Sequence, residues 1–197
     1  MATRDRSLHP GDALVVVDVQ NDFLPGGTLA VPNGDEVVTV LNRYLAAFAR
    51  AGLPVFATRD WHPPDHCSFR ARGGPWPPHC VQGSEGARFA PGLALPPSTV
   101  IVSKDTLREQ NTYSGFGGGD LDRRLGEQGV RRVFVGGLAT DYCVFHTVKD
   151  ALARGYQAVL LTDAIRAVNV APDDGRKAEA EMIRLGATPL RHEMLAE

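Results

Sequence analysis

The sequence predicts an α/β fold: a three-layer αβα sandwich around a mostly parallel, six-stranded sheet. Three observations carry this expectation. Short runs of strand length recur along the 197 residues, and several are continuously apolar, as parallel strands buried on both faces are. Stretches with the helical spacing of apolar residues alternate with them, which builds a parallel sheet covered by helices. The first three runs each lead into a charged residue, at Asp18, Asp60 and Lys104. In sheets of this kind, ligands bind beyond the carboxyl ends of the strands.

The elements follow in order. Residues 13–18, ALVVVD, form the first strand. Asn33-Gly34 then precedes a helical pattern, Val37, Leu41, Tyr44, Leu45 and Phe48, that closes near Gly52. The second strand is 54–59, PVFATR, ending at Asp60, and the third is 99–103, TVIVS, ending at Lys104. Asp120 to Gln128 reads as a short helix with Asp120 as its cap. Residues 132–136 form the fourth strand, and Asp141 to Arg154 the helix after it, stopped by Gly155. The fifth strand is 157–162, QAVLLT, ending at Asp163; a helix from Pro172 to Leu185 stops at Gly186. Residues 187–190, ATPL, make an edge strand, where Pro189 is tolerated.

Length and composition narrow the classes. A chain of 197 residues fits a single domain, 1–197, and 43% hydrophobic with 22% charged residues is ordinary for a globular protein. A net charge of −2 favours neither nucleic acid nor an anionic membrane as partner. The N-terminal MATRDRSLHPGD is polar, with no apolar signal-peptide core, and no run is long enough to span a bilayer, so the expected location is cytoplasmic. In a reducing compartment Cys67, Cys80 and Cys143 are expected to be free. A homo-oligomer is compatible with the sequence, although no heptad or long exposed apolar stripe points to one.

Chemistry concentrates in two places. In RVFVGGLATDYCVFHTVK, at 132–149, Cys143 sits where a strand turns into a helix, and a helix N-terminus stabilises a thiolate. A buried structural cysteine fits the same position. Asp18 could accept the thiol proton or merely cap a turn, and Lys104 could stabilise charge or be a solvated lysine. Their convergence with Cys143 on one rim favours the catalytic reading. His146 lies one helical turn after Cys143 and is the obvious partner by spacing, but side chains point back toward the helix N-terminus and Asp18 is the alternative base, so His146 is expected to pack.

The second place is the long turn-rich segment at about 60–98. Asp60 and His62 lie on one side of an extended segment, and His66 and His79 follow. One Asp with two or three His suits zinc, iron or manganese with open positions for water. Scattered loop histidines are the alternative, although half of the chain's 6 histidines fall in this loop. Cys67 and Cys80 have no zinc-finger spacing and are expected to be bystanders.

These residues fall into motifs: VVDVQNDF at 16–23, PGG at 25–27, TRDWHPPDHCSF at 58–69, WPPHCVQGSEGA at 76–87, KDT at 104–106, YSGF at 113–116 and GLATDYCV at 137–144. Together they span nearly the whole chain, and the sequence resembles the nicotinamidases of the isochorismatase-like cysteine hydrolases. The resemblance implies an isochorismatase-like hydrolase fold with a metal-binding loop inserted at about 60–98. It implies a catalytic triad of Asp18, Lys104 and Cys143, and an oxyanion hole from the backbone N–H groups of Ala139 and Cys143 behind a cis peptide. It further implies one divalent metal ion, zinc first with iron or manganese as alternatives, held by Asp60, His62 and His79. His66 matches a position that is a fourth ligand in some members and not in others. Phe23, Trp76 and Tyr113 match the substrate-ring walls, and Tyr142 a variable position beside them; ordinary core packing is the other reading of these aromatics. The implied activity is hydrolysis of nicotinamide to nicotinate and ammonia through a cysteine thioester, in NAD salvage, with pyrazinamide also accepted. A relative acting on a carbamoyl or maleamic amide is the nearest rival, and a non-catalytic binding domain of the same fold is the other.

Overall fold

A computed structural model of the chain describes residues 6–196; residues 1–5 and 197, and with them the start of the polar N-terminal stretch, lie outside the described residues. Six strands form one sheet in the order β3-β2-β1-β4-β5-β6. They are β1 (Asp12–Val17), β2 (Val55–Asp60), β3 (Val100–Lys104), β4 (Arg132–Leu138), β5 (Gln157–Arg166) and β6 (Thr188–Leu190), and every pairing is parallel. Four α-helices accompany them: α1 (Glu36–Arg50), α2 (Leu121–Glu127), α3 (Phe145–Ala153) and α4 (Asp174–Arg184).

The alternation of side chains along a strand divides the core in two. Leu14 and Val16 of β1 join α1 residues Leu41, Tyr44 and Phe48 on one face. Ala13, Val15 and Val17 join Leu121 and Leu125 of α2, Val148 of α3 and Met182 of α4 on the other. All six residues of β1 are buried, which is why the run carries almost no polar side chain. The expected three-layer sandwich is therefore the observed architecture.

Several local expectations differ from the fold. β5 runs to Arg166 rather than stopping at 162, because it pairs with β4 on both sides of an irregularity between Val135 and Gly137. Asp163 thus lies within the strand, where its carboxylate accepts the Tyr44 hydroxyl and the His192 N–H. Asp120 does not cap α2; Arg123 and Arg124 donate to its carboxylate instead. The helix after β4 starts as a π-turn, Thr140–Val144, in which Val144 N–H reaches the Ala139 carbonyl, and α3 proper begins at Phe145. Among the described residues no helix is long and apolar enough to cross a membrane.

The strand order reverses at β1, whose neighbours are β2 and β4. The carboxyl end of β1 thus opens onto a topological switch point, the usual place for a ligand crevice in such sheets. Close backbone approach holds that end together. Gly137 has φ of +127°, and a Cβ there would lie 2.1 Å from the Val17 carbonyl oxygen. Gly137→Ala is therefore expected to destabilise the protein by about 1–3 kcal/mol. Gly126→Ala in α2, where a Cβ meets nothing within 4 Å, is expected to stabilise it by about 0.5–1 kcal/mol. Denaturant unfolding of the two variants beside the wild type checks both signs.

Candidate active site and metal centre

Register places the charged residues side by side. Asp60 and Lys104 are cross-strand partners at the ends of β2 and β3, and Asp18 follows β1, with its N–H on the Thr58 carbonyl. Asp18 takes φ of +48°, a left-handed conformation that aspartate tolerates better than most residues. Cys143 arrives on the π-turn after β4. Asp18 and Lys104 are fully buried, and Asp60 and Cys143 nearly so.

Lys104 is the hub. Its Nζ lies 3.0 Å from Asp18 Oδ2 and 3.6 Å from Cys143 Sγ, and it donates to Asp60 Oδ1. Thr58 Oγ1 donates to the other Asp18 oxygen, Oδ1, at 2.6 Å. Asp18 Oδ2 receives no aligned hydrogen bond, so a buried acceptor remains beside the thiol. Asp18, Asp60 and Cys143 bring their side-chain atoms within 4.8 Å of one another.

These contacts set the protonation states. Burial acts to discharge Lys104, but the carboxylates of Asp18 and Asp60 outweigh it and hold the ammonium well above its usual value. Burial pushes the Asp18 carboxyl up, and Asp60 adds to this against the opposing pull of Lys104. Burial also pushes the Cys143 thiol well above its usual value, and Asp18 and Asp60 add to this against the opposing pull of Lys104. The helix-terminus reading of the sequence expected a stabilised thiolate. The resting group is instead a thiol beside a base, a pair that can create its nucleophile by proton transfer.

The loop between β2 and β3 carries the histidines. Two stretches of it are joined at His62, whose N–H donates to the Cys80 carbonyl and whose carbonyl accepts from Gln82. Asp22 Oδ2 accepts the Cys80 N–H at 2.7 Å. Asp60, His62 and His79 are all buried and bring their donor atoms within 4.8 Å of one another. His62 Nδ1 meets the His79 carbonyl at 3.0 Å, and His79 Nδ1 meets the Pro77 carbonyl at 2.8 Å. A carbonyl only accepts, so both Nδ1 atoms donate, and both Nε2 atoms are left to face a ligand. Asp60 Oδ2 lies 3.8 Å from His79 Nε2. A buried carboxylate with two oriented imidazoles suits a divalent transition ion.

His66 does not join this group: its Nδ1 meets Ser68 Oγ and its Nε2 meets the Gln110 carbonyl. Cys67 and Cys80 are free, and burial raises the Cys80 thiol well above its usual value. His146 stacks on Tyr113, with ring centroids 5.4 Å apart.

Phe23, Trp76, Tyr113 and Tyr142 line one cavity together with Ala139, Cys143, Asp60 and His79. Trp76 Nε1 donates to the Tyr113 hydroxyl at 3.1 Å, and the Tyr142 ring meets both neighbours. The Leu138–Ala139 peptide is cis, and the Ala139 carbonyl accepts from both Tyr142 and Val144. Leu29, Val31 and Val168 complete the walls. None of the three carries a distinguishing sequence signal, since each is one apolar residue among many.

Two supporting residues also escaped the sequence reading. Gln20 pairs its side-chain amide with both the N–H and the carbonyl of Asp60, and also donates to the Ala87 carbonyl. Thr58 sits two residues before Asp60, so both point to the same face of β2. That spacing was the available clue for Thr58, as the distance of two from Asp18 was for Gln20.

Known proteins resemble the chain over most of its length. Residues 12–194 match the isochorismatase domain. The chain is 40% identical to a nicotinamidase of Escherichia coli, over 91% of this chain and 94% of that protein. A pyrazinamidase of Pyrococcus horikoshii, solved in complex with zinc, is 47% identical with a TM-score of 0.89, covering 92% of this chain and 99% of that one. The PnC1 protein of L. infantum, solved in complex with nicotinate, is 38% identical with a TM-score of 0.87, covering 95% and 96% of the two chains. By its matched domain, its sheet and these relatives, the chain belongs to the isochorismatase family.

Proposed function

We propose that this chain hydrolyses nicotinamide to nicotinate and ammonia through a thioester on Cys143, in the cytoplasm and in the service of NAD salvage, and that it also accepts pyrazinamide. The observation that carries the reading is the placement of Cys143 at one cavity with the aromatic rings and the Asp60–His79 edge, over the buried Lys104–Asp18 pair.

Asp18 takes the thiol proton, and Cys143 Sγ forms a bond to the carboxamide carbon. The backbone N–H groups of Ala139 and Cys143 donate to the developing oxyanion, a contribution of about 10²–10³ in rate per donor. Lys104 keeps its positive charge throughout and offsets the anionic groups around it. As the C–N bond breaks, Asp18 returns the proton to the leaving ammonia. Asp18, again a base, then takes a proton from water as the new C–O bond forms, and returns it to the Cys143 sulfur as the C–S bond breaks. Phe23, Trp76, Tyr113 and Tyr142 hold the ring and exclude bulk water. A divalent ion held by Asp60, His62 and His79, zinc first with iron or manganese as alternatives, would supply Lewis-acid orientation of the pyridine nitrogen, directly or through water. His66, engaged with Ser68 and Gln110, stays outside that shell in this reading.

Four outcomes are expected. Cys143→Ala loses about 10⁴-fold or more of its ammonia release while its unfolding midpoint holds. Wild-type protein quenched during turnover carries the nicotinoyl group on Cys143 by mass spectrometry; undiminished turnover by the alanine variant would defeat the scheme. Dialysis against a chelator abolishes activity and leaves the circular-dichroism spectrum largely intact, with activity returning on addition of zinc, iron or manganese. In an ammonia-release panel, nicotinamide and pyrazinamide are turned over and maleamate is not; a preference for maleamate or a carbamoyl amide would favour the rival substrate class.

A further inference from the structure

We propose that Asp105 is an outer carboxylate of the metal centre, facing the metal-binding edge of His62 and accepting a hydrogen bond from a water ligand of the ion. The inference rests on the reading of Asp60, His62 and His79 as an ion site and adds a residue to it.

Asp105 directly follows Lys104 but leaves the strand conformation, with φ of +54°. In a continuing strand the two side chains would point to opposite faces. The left-handed turn instead brings the Asp105 carboxylate to the histidine cluster. The residue is 3% exposed. Its Oδ1 accepts the Thr112 N–H at 2.7 Å, and its Oδ2 lies 3.8 Å from His62 Nε2.

That second contact is the unusual one. At 3.8 Å it is too long for a direct hydrogen bond. His62 Nδ1 donates to the His79 carbonyl, so Nε2, the nitrogen left for an ion, is the one that faces Asp105 Oδ2. Asp105 is not itself within the compact donor group, which comprises Asp60, His62 and His79. It stands next to one ligand atom without reaching the others, which is where an acceptor for a coordinated water belongs. Lys104 already offsets much of the charge on Asp60, so a second carboxylate nearby also restores the attraction for a divalent ion.

Zinc affinity of the full-length chain, stripped of metal and titrated against a chromophoric chelator, tests this. Asp105→Asn keeps an oxygen for the Thr112 N–H and removes the charge, and Asp105→Gly suits the left-handed backbone. The expected result is one zinc per wild-type chain, bound about 10–100-fold more weakly by both variants. The metal-free unfolding midpoint of Asp105→Asn should match wild type, and the visible spectrum of its cobalt-loaded form should shift. Asp105→Asn binding zinc within twofold of wild type, or more tightly, overturns the proposal. So does weakening confined to Asp105→Gly, because the residue would then only shape the turn. If wild type takes up no zinc, the ion site itself falls and Asp105 with it; if wild type binds and Asp105→Asn binds equally, only the role of Asp105 falls.

Discussion

A lysine ammonium with no exposure to water is the constraint on which the rest of the site depends. Lys104 touches the carboxylates of Asp18 and Asp60 and the thiol of Cys143, so residues contributed after three other strands meet at one nitrogen. Taking such a charge out of water is costly, and the two carboxylates are what keep it ionised. The dependence runs both ways. Without the ammonium, two buried carboxylates would be left within 4.8 Å of each other, the arrangement that most strongly opposes ionisation. The same nitrogen links the proposed acid–base chemistry to the proposed ion site, because Asp60 belongs to both.

That charge cluster needs a dry and rigid surround. The sheet supplies rigidity through the Asp60–Lys104 register and the close passage of Gly137 across Val17. The long loop after β2 has little regular secondary structure, yet its histidines are buried and hydrogen-bonded. Backbone bonds from His62 to Cys80 and Gln82 make a short bridge, while Gln20 and Asp22, just after β1, grip Asp60 and Cys80. The aromatic rings then close the cavity over Cys143, and electrostatic interactions strengthen where water is excluded. A protonated thiol beside a buried base suits such a place, since no free thiolate has to be stabilised at rest.

Much of this was legible in the chain. Apolar runs such as ALVVVD fit strands covered on both sides, and their charged ends marked the binding rim. The weaker readings failed for identifiable reasons. Asp120 has the residue type of a helix cap, but two arginines on the next turn compete for its carboxylate. The π-turn that carries Cys143 has no periodicity of its own over five residues, so it read as the start of an ordinary helix. β5 outlasts its apolar run because pairing with β4 resumes beyond the irregularity.

The sequence by itself determined the alternation of strands and helices, the kinds of side chain at the rim and the motifs that mark the family, because these depend on local pattern and residue chemistry. Only the tertiary structure decided which groups touch. Parallel register set Asp60 against Lys104, the backbone carbonyls of Pro77 and His79 left Nε2 of two histidines free, and Ser68 with Gln110 engaged both nitrogens of His66 although its ring lies beside His62. It also turned the expected thiolate into a buried thiol, because desolvation and two neighbouring carboxylates are long-range effects that no local spacing records.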